Sequence, residues 1–307
     1  MSRWLGVILV LLSAASFGFM PLFASWSGTV SVPVMLMLRF GIAAAVLFAL
    51  CLVRKQRLPK GRLLLVVLAM GAVGYFGESF MYFAALSYAP SGIVSLLLYT
   101  YPAIVAVLSV TLLKETMSAD RLLALALAVV GSILTAAPAL MAGGPRINPL
   151  GIIFGLVCAC SYATYVLVSA RLPKSLGALP ASTLVCTGAS LAFAVVVLIR
   201  SLHQPEPFPA TPRAWAGILC LALVCTVFGV TTFLAGLPRV GPVRASTLST
   251  FEPIMTVAVG VAALGEHLTP IQVAGGVLII IGAVLMARAR DAAPAGPTRA
   301  DAASSTS

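Results

Sequence analysis

Residues 95–116 read SLLLYTYPAIVAVLSVTLLKET, and residues 246–267 read STLSTFEPIMTVAVGVAALGEH. Laid over each other at a shift of 151, Ser95 meets Ser246, Pro102 meets Pro253, Val110 meets Val261, Leu113 meets Leu264 and Glu115 meets Glu266. The register runs on through Leu127/Leu278, Gly131/Gly282 and Leu134/Leu285. Towards the N-terminus the match continues at a shift of 145, where Gly6, Ile8, Leu11, Ala14 and Ser16 fall on Gly151, Ile153, Leu156, Ala159 and Ser161. The change of register is taken up where Arg54–Arg62 becomes the longer Arg200–Arg213. The chain is a duplicated unit, and what duplication means depends on how often each copy crosses a membrane.

Hydrophobic residues make up 61% of the 307 and charged residues only 9%, far outside the composition of soluble domains. A hydrocarbon core of ~30 Å needs ~20 apolar residues in helix. Ten runs qualify: 4–24, 32–53, 63–88, 91–113, 121–138, 149–170, 179–199, 212–237, 241–264 and 269–288. Turn-formers such as Ala89-Pro90-Ser91 and the stretch from Pro238 to Pro242 separate the closely spaced ones. The first run has the look of a secretory signal, since Arg3 precedes Leu5–Leu12, but its repeat match to 149–170 argues that it is retained. The expected fold is an all-α integral membrane protein of ten transmembrane helices. Five crossings per unit is an odd number, so the second unit enters from the opposite side and the repeat is inverted. The units are 1–138 and 149–288, followed by an Ala/Pro/Ser/Thr-rich tail, 289–307, expected to be disordered and cytoplasmic.

The net charge of +11 would suit nucleic acid, but its placement points elsewhere. With the N-terminus inside, the inner segments hold Arg3, Arg54, Lys55, Arg57, Lys60, Arg62, Lys114, Arg121, Arg171, Lys174, Arg239, Arg244, Arg288, Arg290 and Arg299, fifteen of nineteen. Outer loops hold Arg146, Arg200 and Arg213, and Arg39 lies within a span. This is the positive-inside bias, so the basic character sets orientation in an inner or plasma membrane with both termini cytoplasmic. The partners expected are membrane lipid and a small solute, not nucleic acid; oligomeric state is left open. The six cysteines fall in or at the ends of spans and read as reduced packing residues. His203 and His267 sit in outer loops without a second ligand at metal spacing, so neither metal nor cofactor is expected.

Inverted repeats around a pseudo-two-fold axis are a recurring plan of secondary transporters, which expose one midplane site to the two sides in turn. The segment Ser249-Thr250-Phe251-Glu252-Pro253-Ile254, with Leu264-Gly265-Glu266-His267-Leu268-Thr269 and then Gly275, Gly276 and Gly282, resembles the second-repeat signature of the EamA-type drug/metabolite transporters. The first unit carries the cognate Leu97-Leu98-Tyr99-Thr100-Tyr101-Pro102 and Lys114-Glu115-Thr116-Met117-Ser118. Leu38-Arg39-Phe40 resembles that family's Arg-Phe pair in span two, and Ser16-Phe17-Gly18 its aromatic-Gly in span one. Lys114 departs from the pattern, which has Gly before the Glu. The resemblance covers roughly 4–288 and implies ten helices that move small organic solutes, often outward; it does not name the solute.

Charged side chains at a helix centre in a bilayer cost ~2.5–3.5 kcal/mol on insertion scales. Only Arg39, Glu78 and Glu252 lie well inside spans. At ~1.5 Å per residue, Arg39 is ~12 Å and Glu78 ~15 Å below the outer ends of their spans, so an ion pair between them is geometrically allowed. Arg39 equally suits a structural role on backbone carbonyls. Tyr75, Glu78, Ser79 and Tyr82 share one helical face, expected to meet the interior or a wet cavity. Glu78 is a candidate for binding an amine-bearing solute or a proton, against a neutral structural carboxyl; the repeat gives it Gly229 as counterpart. Pro253 cannot bond the Ser249 carbonyl, and Pro102 frees that of Leu98, so the two prolines are candidate bends beside the solute path. Glu252 reads first as structural or gating, then as binding. Hydroxyl-bearing stripes extend the picture: Ser91, Ser95 and Tyr99 in span four; Ser161, Tyr162, Tyr165 and Ser169 in span six; Thr231 and Thr232 in span eight; Ser246, Ser249 and Thr250 in span nine. Each can instead bond its preceding turn or a neighbouring helix, for ~0.6–2 kcal/mol. Together they suggest a central cavity. Ser118 and Thr269 are expected helix caps.

No Gly-x-x-x-x-Gly-Lys-Ser/Thr loop exists, so ATP-driven pumping is not expected. The leading reading is a secondary exporter of metabolites or drugs, proton-coupled or facilitative. A carrier of phosphate-bearing metabolites would want cationic residues at the midplane of the second unit, which has none. A polytopic enzyme acting on lipid or peptide would need an acid/base or metal cluster at membrane depth. No span contains Asp or His in such a grouping.

Overall fold

The computed structural model describes residues 3–89, 91–114, 116–141, 148–265 and 267–289. The expected tail from residue 290, Glu115, Glu266, Arg146 and the Ser91 side chain lie outside that set. Among the described residues, ten helices are long and apolar enough to cross a membrane: Arg3–Trp26, Val32–Val53, Arg62–Leu86, Ile93–Leu113, Ala119–Pro138, Pro149–Ala170, Ala178–Ser201, Pro212–Val240, Pro242–Ala263 and Pro270–Arg288, here spans 1 to 10.

Span 1 packs on span 8 and span 3 on span 6, while span 2 meets span 7, span 4 meets span 9 and span 5 meets span 10. Exchanging the two halves turns the span 1–8 contact into the span 6–3 contact and leaves the other three unchanged. The set of pairings therefore maps onto itself, as a two-fold relation between the halves requires. Lipid supplies no hydrophobic drive between helices, so such contacts depend on close approach at small residues. Where spans 5 and 10 meet, a Cβ on Gly131 would lie 2.6 Å from the Gly275 carbonyl oxygen, and a Cβ on Gly282 would lie 2.8 Å from that of Ala124.

Both matched prolines sit just past a break. Span 4 consists of the helices Ser91–Leu98 and Tyr101–Leu113, and span 9 of Pro242–Ser249 and Glu252–Leu264. At the breaks the backbone tightens to three-residue spacing. Thr100 N donates to Leu97 O at 3.2 Å, Thr250 N to Thr247 O at 3.3 Å and Phe251 N to Leu248 O at 3.1 Å.

A second matched irregularity has no proline to announce it. Span 3 widens into a π-helix over Met70–Tyr75 and span 8 over Leu221–Phe228. The shift of 151 carries Met70 onto Leu221 and Tyr75 onto Thr226. The Thr226 hydroxyl donates to Leu221 O, five residues back, at 2.9 Å. Segments of this kind re-aim the side chains beyond them and often mark functional sites.

The loops explain Lys114. It ends its helix with φ +55° where the second half uses Gly265 at φ +71°, so a lysine occupies the left-handed conformation that glycine adopts without steric cost. Thr269 caps span 10 as expected, accepting from Gln272 N at 3.4 Å while its own N–H donates to Gln272 Oε1 at 3.0 Å. Ser118 Oγ accepts from Arg121 N at 3.4 Å. Thr269→Ala is expected to lower stability by ~1 kcal/mol, the usual worth of a lost N-cap, measured as a lower midpoint of thermal unfolding in detergent.

Candidate functional site

Four residues of the span 3 stripe, Tyr75, Glu78, Ser79 and Tyr82, line a cavity of about 320 Å³. Arg39 of span 2, Ser95 and Tyr99 of span 4, Tyr162 of span 6 and Glu252 of span 9 line it too. The three intramembrane charges, distant in sequence, thus share one chamber. Apolar wall comes from Phe17, Met20, Met35, Leu36, Leu98 and Leu221.

Arg39 and Glu78 do not pair directly. The Arg39 Nε donates to Thr226 Oγ1 at 2.7 Å, and Ser79 Oγ donates to Glu78 Oε2 at 2.8 Å. The Arg39 guanidinium carbon also stands 5.0 Å from the centroid of the Phe40 ring, a cation–π geometry. The asymmetry noted at Glu78 has a packing reason. At its counterpart Gly229 a Cβ would come within 2.7 Å of Ser16 Oγ, and the Gly229 carbonyl accepts from Ser13 Oγ at 2.8 Å. Span 1 occupies in the second half the space that Glu78 fills in the first.

Aromatic residues form the chamber's floor. Tyr75 meets Tyr165 edge-on with centroids 5.2 Å apart, Tyr165 stacks on Tyr162 at 6.0 Å, and Tyr162 meets Tyr101 at 4.7 Å. Phe40 completes the layer against Tyr75 at 5.3 Å. Tyr101 donates to the Ser246 carbonyl at 3.2 Å, tying the layer to span 9.

Several expected residues stand behind the wall. Ser246 and Thr250 are buried, their hydroxyls donating to Val243 O at 3.0 Å and Thr247 O at 2.6 Å. Thr231 lies off the cavity with its hydroxyl buried, and Tyr165 sits in the layer below it. Pro102 and Pro253 are buried and shape the breaks. The Ser246 and Thr250 hydroxyls took the local alternative because a helix interior offers a carbonyl one turn back at no rearrangement. Tyr101, which lines the cavity, was missed although a signal existed: the shift of 151 places it on Glu252. The residue before each matched proline faces the chamber. Thr226, the partner of Arg39, carried the same kind of signal, since the shift of 151 places it on Tyr75.

A family model described as the EamA-like transporter family matches residues 4–137 and again 149–288. The chain is 27% identical over 257 residues to "Uncharacterized transporter YyaM" of Bacillus subtilis (strain 168), covering 80% of each. To "Probable amino-acid metabolite efflux pump" of Salmonella typhimurium it is 26% identical over 242 residues, 76% of this chain and 79% of that one. A solved structure titled "Crystal structure of protein" superposes with a TM-score of 0.79 at 22% identity, over 92% of this chain and 98% of the other. That likeness shows the fold alone.

Proposed function

The chain belongs to the EamA-like transporter family, and from that premise we propose that it exports small organic solutes, amine-bearing or amino-acid-like, by alternating access. It is a multi-pass membrane transporter. The observation that carries the finer reading is the shared chamber in which Glu78, Glu252 and Arg39 converge at membrane depth. Carboxylates there are costly unless a function retains them, and an ammonium group is the complement they invite. The printed name of the Salmonella relative, an amino-acid metabolite efflux pump, agrees with that chemistry.

The shape supports alternation. With both termini cytoplasmic, as the basic residues favour, nearly all the cavity-lining residues fall in the outer halves of their spans, and Tyr162 lies at the floor. A separate cleft of about 510 Å³ lies at the inner ends of spans 6, 7 and 8, lined by Ser169, Leu172, Leu176, Ala181, Leu234 and Arg239. Tyr165 stands on span 6 between Tyr162 of the chamber and Ser169 of the cleft. The tyrosine layer therefore separates an outward chamber from an inward cleft, and the matched breaks in spans 4 and 9 are where each half bends to reverse that arrangement. Glu78 and Glu252 serve as ammonium ligands, with proton exchange at either carboxyl as the route to coupling.

The test is counterflow in proteoliposomes loaded with amines and amino acids, with and without a pH gradient. Saturable trans-acceleration by an amine-bearing solute is expected. Flux that is linear in concentration, with no acceleration by internal solute, would mark a pore and end the reading.

A further inference from the structure

Arg39 is held in a way that the transport reading above leaves unexplained. It is 3% exposed, and its Nη2 is buried without a partner in the protein. Its Nη1 reaches only the Met20 sulfur, a weak acceptor, at 3.5 Å. Opposite charges sharing a low-dielectric chamber attract strongly, and yet among the described residues no ion pair joins Arg39 to Glu78 or Glu252. Arg39 and Glu78 are each tethered elsewhere. Thr226 holds the Arg39 Nε from the π-helical stretch of span 8, and Ser79 holds Glu78 on span 3. Because the Thr226 proton is committed to Leu221 O, its oxygen is free to accept from Arg39. The protein thus keeps a cation and two acids apart on one chamber wall, each with hydrogen-bonding capacity unused.

We infer that the chamber recognises a zwitterion and that Arg39 is its specificity-determining residue, taking the carboxylate on Nη1 and Nη2 while Glu78 and Glu252 take the ammonium. The inference rests on the transport reading and narrows it. A guanidinium edge presents two parallel N–H donors that match a carboxylate's two oxygens. A solute with an amine alone satisfies the acids and leaves Nη2 unmet. A phosphate would offer the same oxygens, but its extra negative charge would face Glu78 and Glu252. The tyrosine layer and the methionines cover the solute's hydrocarbon body.

The experiment is competition counterflow in proteoliposomes of the full chain, using matched sets built on leucine, methionine and phenylalanine: the amino acid, its amide, and the decarboxylated amine. In the wild type, one amino acid is expected to compete at least ~10-fold better than its own amide and amine, the worth of about one charge-assisted hydrogen bond. In Arg39→Gln that ratio is expected to fall towards one because competition by the amino acid weakens while competition by the amine does not, the lost guanidinium having been a like charge to the ammonium. If Arg39→Gln does not fold, Thr226→Val removes only the tether and is expected to shrink the ratio at least ~3-fold, about half that bond's worth. Equal losses for amine and amino acid in the variant, or a ratio unchanged in Thr226→Val, would overturn the inference by making Arg39 a scaffold residue. Wild-type transport of the amines without the amino acids would overturn it too, and leave the transport reading standing. If the wild type moves none of these compounds, both fall together.

Discussion

Glu78→Gln is expected to lower saturable transport of an amine-bearing solute by roughly 10- to 100-fold at neutral pH, with the protein folded as before. The substitution is close to isosteric, and the Ser79 hydroxyl that now donates to the carboxylate can donate to the glutamine carbonyl. What disappears is the negative charge facing an ammonium group. A hydrogen bond to a charged group is worth about 1.5–3 kcal/mol, and each ~1.4 kcal/mol is a factor of ten in binding. Glu252→Gln separates the two readings of its residue. As a solute ligand it would raise the half-saturating concentration; as a gating residue beside Pro253 it would lower the maximal exchange rate and leave that concentration alone. Retention of full transport by both variants would remove the acidic residues from the mechanism.

The second large effect concerns stability. Spans 3 and 7 touch through a reciprocal pair of glycines. A Cβ on Gly71 would lie 2.0 Å from the Val185 carbonyl oxygen, and one on Gly188 would lie 2.1 Å from that of Leu68. Neither obstacle is a flexible side chain tip, so even alanine must push two helices apart. Overpacking a tight contact costs ~1–3 kcal/mol and at times more. Gly71→Val and Gly188→Val are therefore each expected to cost at least ~3 kcal/mol and to abolish monodisperse protein in gel filtration. Gly276→Ala, whose Cβ would meet only Ile254 Cγ1 at 4.0 Å, is the control and is expected to stay within ~0.5 kcal/mol of wild type. Normal yield and thermal midpoint in both valine variants would show that this contact does not hold spans 3 and 7 together. Gly71 is the second residue of the π-helical stretch Met70–Tyr75, so a shift there also moves the wall carrying Glu78.

Much of the chamber's lining could be seen in the sequence because the physics was one-dimensional. A charge inside an apolar run is visible by its rarity, which singled out Arg39, Glu78 and Glu252. Helical spacing put Tyr75, Glu78, Ser79 and Tyr82 on one face, and the structure places all four on one chamber. Hydroxyls were harder to read. Ser95 lines the cavity while Ser246, its repeat partner, bonds its own helix backbone. The two residues have the same type and the same register, and they differ only in what packs against them.

The sequence by itself determined the ten crossings and the duplication, since burial in lipid requires long apolar helices and repetition is a property of letters. It also located the breaks at Pro102 and Pro253, because proline lacks the donor that would continue the ladder. Tertiary structure alone decided that Arg39 bonds Thr226 instead of Glu78, that Gly229 yields its space to span 1, and that Tyr165 lies beneath the chamber and off its wall. Those outcomes depend on distances between helices far apart in the chain. Such distances follow from close-packing of small residues and from π-helical turns, and no single-helix pattern encodes either.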